Sequence, residues 1–200
     1  MTDIIMVRHA RTEGNVRGLL QGRADSPVIV DELAAAAAWR ERGLPEPDAV
    51  YCSPQRRARI TAAYLLPDVA AVIDDRLAER DLGDIDGRVA QDLWAAEPDL
   101  AHAMAADPTF APPGGESAEQ VGARVRGLVG DLVRRGDRLA ACVTHGALMT
   151  ITLRVLAGVE GRPHIENLQA VRLRVLDPAA LYPVELVGVL PGRTAAAVAR

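Results

Sequence analysis

Apolar positions along the 200-residue chain fall into short unbroken runs separated by longer segments of mixed character. Ile4–Val7 is the first run, with the length and content of a buried strand. Ala49–Cys52, Val69–Ile73 and Arg138–Val143 repeat the pattern, and the tail from Ala170 to Leu190 holds one or two further strands. Between the runs the period lengthens. The alanine-rich stretch Leu33–Arg42, capped by Asp31 and closed near Gly43 and Pro45, predicts a helix. Ser53-Pro54 reads as an N-cap followed by proline at the first helical position, with the helix running to Leu65. Gln91–Ala106 reads as helical with a break at Pro98. Ser117 and Gln120, at capping-box spacing, open an amphipathic helix with Val121, Val125, Leu128, Leu132 and Val133 on one side. Gly146–Leu156 forms a last helix. Strands alternating with helices predict an α/β fold, a three-layer α/β/α sandwich with a mostly parallel central sheet. Without an internal repeat or linker, residues 1–200 read as one domain.

Composition narrows the partners. A net charge of −4 argues against nucleic acid and against a membrane surface. All 23 basic side chains are arginine. Any anion site must therefore use arginine, histidine or backbone N–H groups, and no lysine Schiff base can form. Cys52 and Cys142 lie in or beside predicted strands and read as small core residues of a reduced compartment. Neither has metal-ligand spacing, so no metal is expected. No apolar run approaches the ~20 residues of a membrane span, and the chain opens directly on a strand, so the expected location is cytoplasmic. Monomer and homodimer are both compatible with the sequence.

The candidate chemistry sits where the strands end. Ile4–Val7 stops in Arg8-His9-Ala10-Arg11-Thr12, and ligands of open α/β sheets bind beyond the carboxyl ends of strands. An imidazole there between arginines combines a nucleophile with an anion clamp, the makings of phosphoryl transfer through a phosphohistidine. Leu139–Val143 ends likewise in Thr144-His145-Gly146, with a helix N-terminus to favour an anion. Arg57, in the first turn after Ala49–Cys52, can aim its fork at a phosphate and shares the inward side of Thr61 and Ala62, whereas Arg56 and Arg59 read as solvated. Glu79, Asp81 and Asp84 are all candidates for the proton donor that a leaving oxygen needs. His102 and His164 read as surface residues.

Joint order adds more than any single motif. Arg8-His9-Ala10-Arg11-Thr12-x-x-Asn15, Gln21-Gly22, Ser53-Pro54-x-x-Arg57-Ala58-x-x-Thr61-Ala62, Leu77-x-Glu79-x-x-x-Gly83, Gly115-Glu116-Ser117 and Thr144-His145-Gly146 resemble the histidine phosphatase superfamily, which includes the cofactor-dependent phosphoglycerate mutases. The resemblance covers the chain from Ile4 to about Val175. It implies that His9 is the nucleophile and that Arg8, Arg57 and His145 surround the phosphoryl group. It also implies that Asn15 donates a hydrogen bond, with Gln21, Gly22 and Gly146 at the substrate, and that Glu79 is the general acid. Three cationic or donor groups can stabilise the transferring oxygens without a metal or other cofactor. Attack requires one unprotonated nitrogen on His9, with the other held by an acceptor such as a backbone carbonyl.

Two positions depart from the family's signature. Ala10 stands where glycine is common, which is tolerable unless the backbone there needs positive φ. Arg11 stands where Glu or Gln is common; it either adds a cation at the substrate or turns outward to Glu13 or Asp25. The segment of about residues 84–116 reads as a lid over the site. Leu82 replaces an aromatic residue usual in mutases, and between Gly87 and Gly115 the only cations are Arg88 and His102. Leu93, Trp94, Leu100, Met104 and Phe110 make the segment apolar instead. A lid of this kind suits a phosphomonoester hydrolase acting on a small phosphorylated metabolite; the alternatives are a phosphoglycerate mutase and a non-catalytic relative that binds phosphorylated ligands.

Overall fold

The computed structural model describes residues 1–41, 45–181 and 183–190. Six strands form one sheet: β1 (Asp3–Arg8), β2 (Ala49–Cys52), β3 (Val72–Ile73), β4 (Leu139–Thr144), β5 (Ala170–Val175) and β6 (Val184–Leu190). Their order is β3-β2-β4-β1-β5-β6. The first four are parallel, and β5 and β6 close one side antiparallel, so the mostly parallel sheet expected from the sequence is present.

Side-chain alternation along the central strands makes two cores. Ile4, Met6, Ala140 and Cys142 face α6 (Ala118–Arg135) and α7 (Gly146–Ala157), while Ile5, Val7, Cys52 and Val143 face Ala58, Ala62 and Leu65 of α3 (Arg56–Leu65). α2 (Val30–Glu41) stacks on α3, completing the third layer. α6 and α7 approach closely at Gly122, where a Cβ would come within 2.8 Å of Val155 Cγ1. Residues 83–116 stand apart from the sheet. They carry α4 (Ala90–Ala96) and α5 (Pro98–Ala106), parted at Pro98, and have a small core of Leu82, Ile85 and Leu93 with Trp94, Leu100 and Met104 against it. No helix among the described residues is long and apolar enough to cross a membrane.

Several elements differ from expectation. The third strand contracts to Val72 and Ile73, which are about half exposed at the sheet edge. Helix α2 begins at Val30, so Asp31 lies in its first turn rather than at its cap; the predicted end near Gly43 lies outside the described residues, as does the segment after Leu190. Val133 is exposed. Twelve residues beyond Val121, it has rotated about 120° off the buried line through Val125, Leu128 and Leu132. Helix α3 starts at Arg56, with Gln55 as an N-cap that makes no side-chain capping bond. Ser53 Oγ accepts from Gln55 N at 3.3 Å just ahead of the helix, and the same hydroxyl is engaged in the site described below.

The capping box on α6 is complete: Ser117 Oγ accepts from Gln120 N at 3.1 Å, and Gln120 Oε1 accepts from Ser117 N at 2.7 Å. Ser117→Ala is expected to lower unfolding free energy by about 1 kcal/mol. Denaturant titration reads this directly, and an unchanged midpoint would remove the cap from the stability account.

Candidate active site

Parallel pairing in register places Arg8 opposite Thr144, so the residues after β1 and β4 emerge side by side. His9 N donates to Thr144 O at 2.9 Å, and the His9 and His145 rings lie 5.1 Å apart at 58°. Ser53 leaves β2 at the same edge, with its N–H on Val143 O. A cavity of about 470 Å³ opens over this edge; Arg8, His9, Asn15, Gln21, Glu79 and Gly146 form its inner end.

His9 is 3% exposed, and its Nδ1 lies 2.8 Å from Ala10 O. A carbonyl only accepts, so Nδ1 carries the proton and Nε2 presents a lone pair. Burial, with the charges of Arg57 and Arg8, holds the imidazole well below its usual range near 6.5. Ala10 is buried against Ala36 and Leu168, and its N–H donates to Thr61 Oγ1 at 2.9 Å. Its φ is not positive: among described non-glycine residues only Leu168, at φ 63°, has that conformation. Alanine is therefore accommodated where the family favours glycine.

His145 is fully buried and outside the cavity wall. Arg57 Nε donates to its Nδ1 at 3.2 Å, so the proton sits on Nε2, which donates to Ser53 Oγ at 2.7 Å. Burial is the main force lowering its basicity, with His9, Arg57 and Arg8 adding to it. Ser53 Oγ donates to Gln55 Oε1 at 2.9 Å, and Gln55 Nε2 donates to Gly22 O.

Arg57 is also buried, and its five N–H groups all have protein acceptors: His145 Nδ1, Ala24 O, Asp25 Oδ1, Gln21 O and Gly22 O. Arg57 and His145 stay close to His9, which feels the Arg57 charge, and they tie the 21–25 loop to α3 from behind the wall, while Arg8 borders the cavity itself. Arg8 Nη1 donates to Ile165 O at 2.5 Å, and Arg8 Nε is buried without a partner. A Cβ on Gly146 would come within 3.1 Å of that nitrogen. Gly22 is equally constrained, since a Cβ would meet Arg80 O at 2.8 Å.

Of the three acidic candidates only Glu79 borders the cavity. Asp81 lies 3.5 Å from Arg23, and Asp84 is exposed. The Glu79 carboxylate docks on the first turn of α7. Oε1 accepts from Arg80 N and Leu148 N at 2.8 Å, and Oε2 accepts from Ala147 N at 3.0 Å. The Glu79 carboxyl group thus occupies the helix N-terminus, while Oε2 keeps a lone pair for a proton. Glu116 fixes the Glu79 segment by accepting from Asp81 N and pairing with Arg124, whose Nη2 donates to Glu79 O at 3.2 Å.

Asn15 is the third residue of a capping box on the short helix α1 (Glu13–Val16) begun by Thr12. Its Oδ1 accepts from Thr12 N and Asn167 Nδ2, which turns its amide nitrogen toward substrate space. Asn167, not anticipated from the sequence, also donates to His9 O at 2.9 Å. Arg11 is not brought to the site. It is exposed and outside the cavity wall, its main-chain carbonyl accepts from Ile29 N, and Asp25, one of its suggested partners, is taken by Arg57. His164 is exposed as expected yet borders the outer cavity, as do Arg154 and Arg162, which the sequence did not mark. No three His, Cys, Asp or Glu among the described residues group as a metal ion requires.

A neutral histidine beside arginine at the carboxyl edge of an α/β sheet defines an anion-handling site. The chain belongs to the histidine phosphatase superfamily (branch 1), whose model matches residues 4–184. It is 35% identical over 158 residues to glucosyl-3-phosphoglycerate phosphatase of Mycobacterium tuberculosis, covering 73% of this chain and 71% of that protein. It is 30% identical over 175 residues to a 2,3-bisphosphoglycerate-dependent phosphoglycerate mutase of a Chelativorans species, covering 79% and 82%. A solved structure of the mycobacterial glucosyl-3-phosphoglycerate phosphatase with VO3 superposes at TM-score 0.78 and 30% identity, over 87% of this chain and 93% of that one.

Proposed function

We propose that this protein hydrolyses phosphomonoesters of small metabolites through a phosphohistidine on His9. The observation that carries the reading is the His9 imidazole itself, neutral, fixed by Ala10 O and presenting Nε2 at the inner end of the cavity. Nε2 attacks phosphorus as the ester P–O bond breaks, and the departing oxygen takes a proton from the Glu79 carboxyl. Glu79, now a carboxylate, accepts a proton from water; the water oxygen bonds phosphorus and the P–N bond breaks, releasing phosphate. Arg8 Nε and the Asn15 amide supply donors to the transferring oxygens. Arg57 contributes charge through His145 and holds the wall.

Hydrolysis is favoured over mutase chemistry by the lid. Its Arg88 is ion-paired with Glu97 at 3.0 Å on the surface and His102 is exposed, and neither reaches the cavity. Trp94 and Met104 do. The two buried free cysteines fit a reduced cytoplasm.

The test is phosphate release from a panel of phosphorylated metabolites in EDTA. The expected result is His9-dependent release of inorganic phosphate without divalent metal. Isomerised ester without phosphate would assign a mutase, and binding without either product a non-catalytic relative.

A further inference from the structure

The cavity has a second cationic end that hydrolysis of a phosphomonoester does not use. Helix α7 runs along its wall, presenting Ala147, Thr150, Ile151 and Arg154 on one face. Ala147 and Arg154 are seven residues apart, or about 10 Å along the axis. Arg154 therefore stands two turns beyond the helix start where Glu79 docks. Thr150 Oγ1 donates to Pro163 O at 2.9 Å, which pins the segment carrying Arg162 and His164 against the same helix.

Among the described residues no ion pair joins Arg80, Arg154 or Arg162 to an acid, although Glu116 and Glu79 lie near enough to favour the Arg80 charge. Arg80 donates to the carbonyls of Glu116 and Phe110, and Arg154 makes only a long 3.4 Å contact with Ala105 O. Burial disfavours the charge on Arg80, and nearby Arg162 adds to that. Among the described residues the only acidic side chain bordering the cavity is Glu79, committed to α7 at the opposite end. A single phosphate dianion at Arg8 and His9 leaves the outer arginines uncompensated in a chain that is acidic overall. The wall between the ends is apolar, with Leu20, Leu82, Trp94 and Met104.

Building on the phosphatase reading, we infer that the substrate carries a second anionic group, separated from the phosphate by an uncharged spacer, and that Arg154 and Arg162 receive it. The spacer spans much of two helical turns. Three-carbon phosphoesters, with carboxylate and phosphate close together, engage only the inner end.

The test compares 6-phosphooxyhexanoate with its carboxamide, which keeps the phosphate and chain and removes one charge. Calorimetric binding to His9→Ala is expected to favour the acid about tenfold or more, and Arg154→Gln/Arg162→Gln in that background to bring the ratio near one. Comparing two ligands on one protein cancels any general loss of folded material. Equal binding of acid and amide, or a preference that survives the double substitution, would overturn the inference. Failure of the phosphatase reading looks different: the parent protein would release no phosphate from either compound while the binding preference stood.

Discussion

His9→Ala is expected to lower phosphate release by on the order of 10⁴-fold or more for every ester, because among the described residues no other nucleophile borders the inner end of the cavity, His164 lying at its outer end. Cys52 and Cys142 are buried in the sheet, with burial raising Cys52 to about 12, and His145 has both nitrogens engaged. Trapping after rapid acid-free quench should find phosphate on the parent protein and none on the variant. Activity retained by His9→Ala would end the covalent mechanism. The environment of His9 also sets the pH response. Its folded-state basicity is lowered from 6.5 by burial and the two arginines, so the nucleophile stays unprotonated as pH falls below 6.5. The acid limb of kcat/KM attributable to it lies below that value. Stability follows the same linkage with a definite sign. Below pH 6.5 the unfolded chain binds protons that buried His9 and His145 refuse, so unfolding free energy falls with pH, by about 1.4 kcal/mol per unit for each histidine. His9→Ala removes one of the two and should flatten the slope accordingly; an unchanged slope would show that His9 titrates normally.

Arg57→Ala is expected to destabilise the protein by about 3–5 kcal/mol, the range for breaking one side of a buried charged network. Five acceptors lose their donor together, four of them on the 21–25 loop and one on His145. For a chain of this size the loss corresponds to a Tm lower by roughly 10 °C. Arg57→Lys should recover little, because an ammonium cannot reproduce the planar fork that meets acceptors on several sides. Thermal unfolding of the two variants decides it. A Tm near the parent's for Arg57→Ala would mean that the network is replaceable by water, and activity would then report the charge alone.

Much of this arrangement was legible because strand ends are local features. Arg8-His9 and Thr144-His145 each follow an apolar run, and parallel pairing of β1 with β4 converts two sequence coincidences into one site. Arg57 was readable through the helical period it shares with Ala58, Thr61 and Ala62. What the pattern could not carry was the assignment of donors to acceptors across long separations. Ser53-Pro54 has the local chemistry of a helix cap and Ser53 Oγ does meet Gln55 N, but the same hydroxyl also serves His145, 92 residues away. Asn167 meets His9 from 158 residues away. Arg154 and Arg162 belong to a helix and loop whose sequence is ordinary; only the folded arrangement of α7 beside the 83–116 segment makes them cavity residues. Arg11 takes the outward of the two readings the sequence left open, exposed and off the cavity wall.

The contact between His9 and the carbonyl of Ala10 fixes more than the protonation state. With Nδ1 sealed by the main chain, only the far nitrogen is open to phosphorus, so a phosphohistidine formed on His9 would be a single regioisomer. Isomer-selective detection of phosphohistidine should register one form and be blank for the other. Side-chain substitution at position 10 leaves this selection intact, because the group that enforces it is common to every residue. Erasing the selection requires changing the backbone itself, and a conventional mutational scan would score position 10 for packing while missing its chemical role.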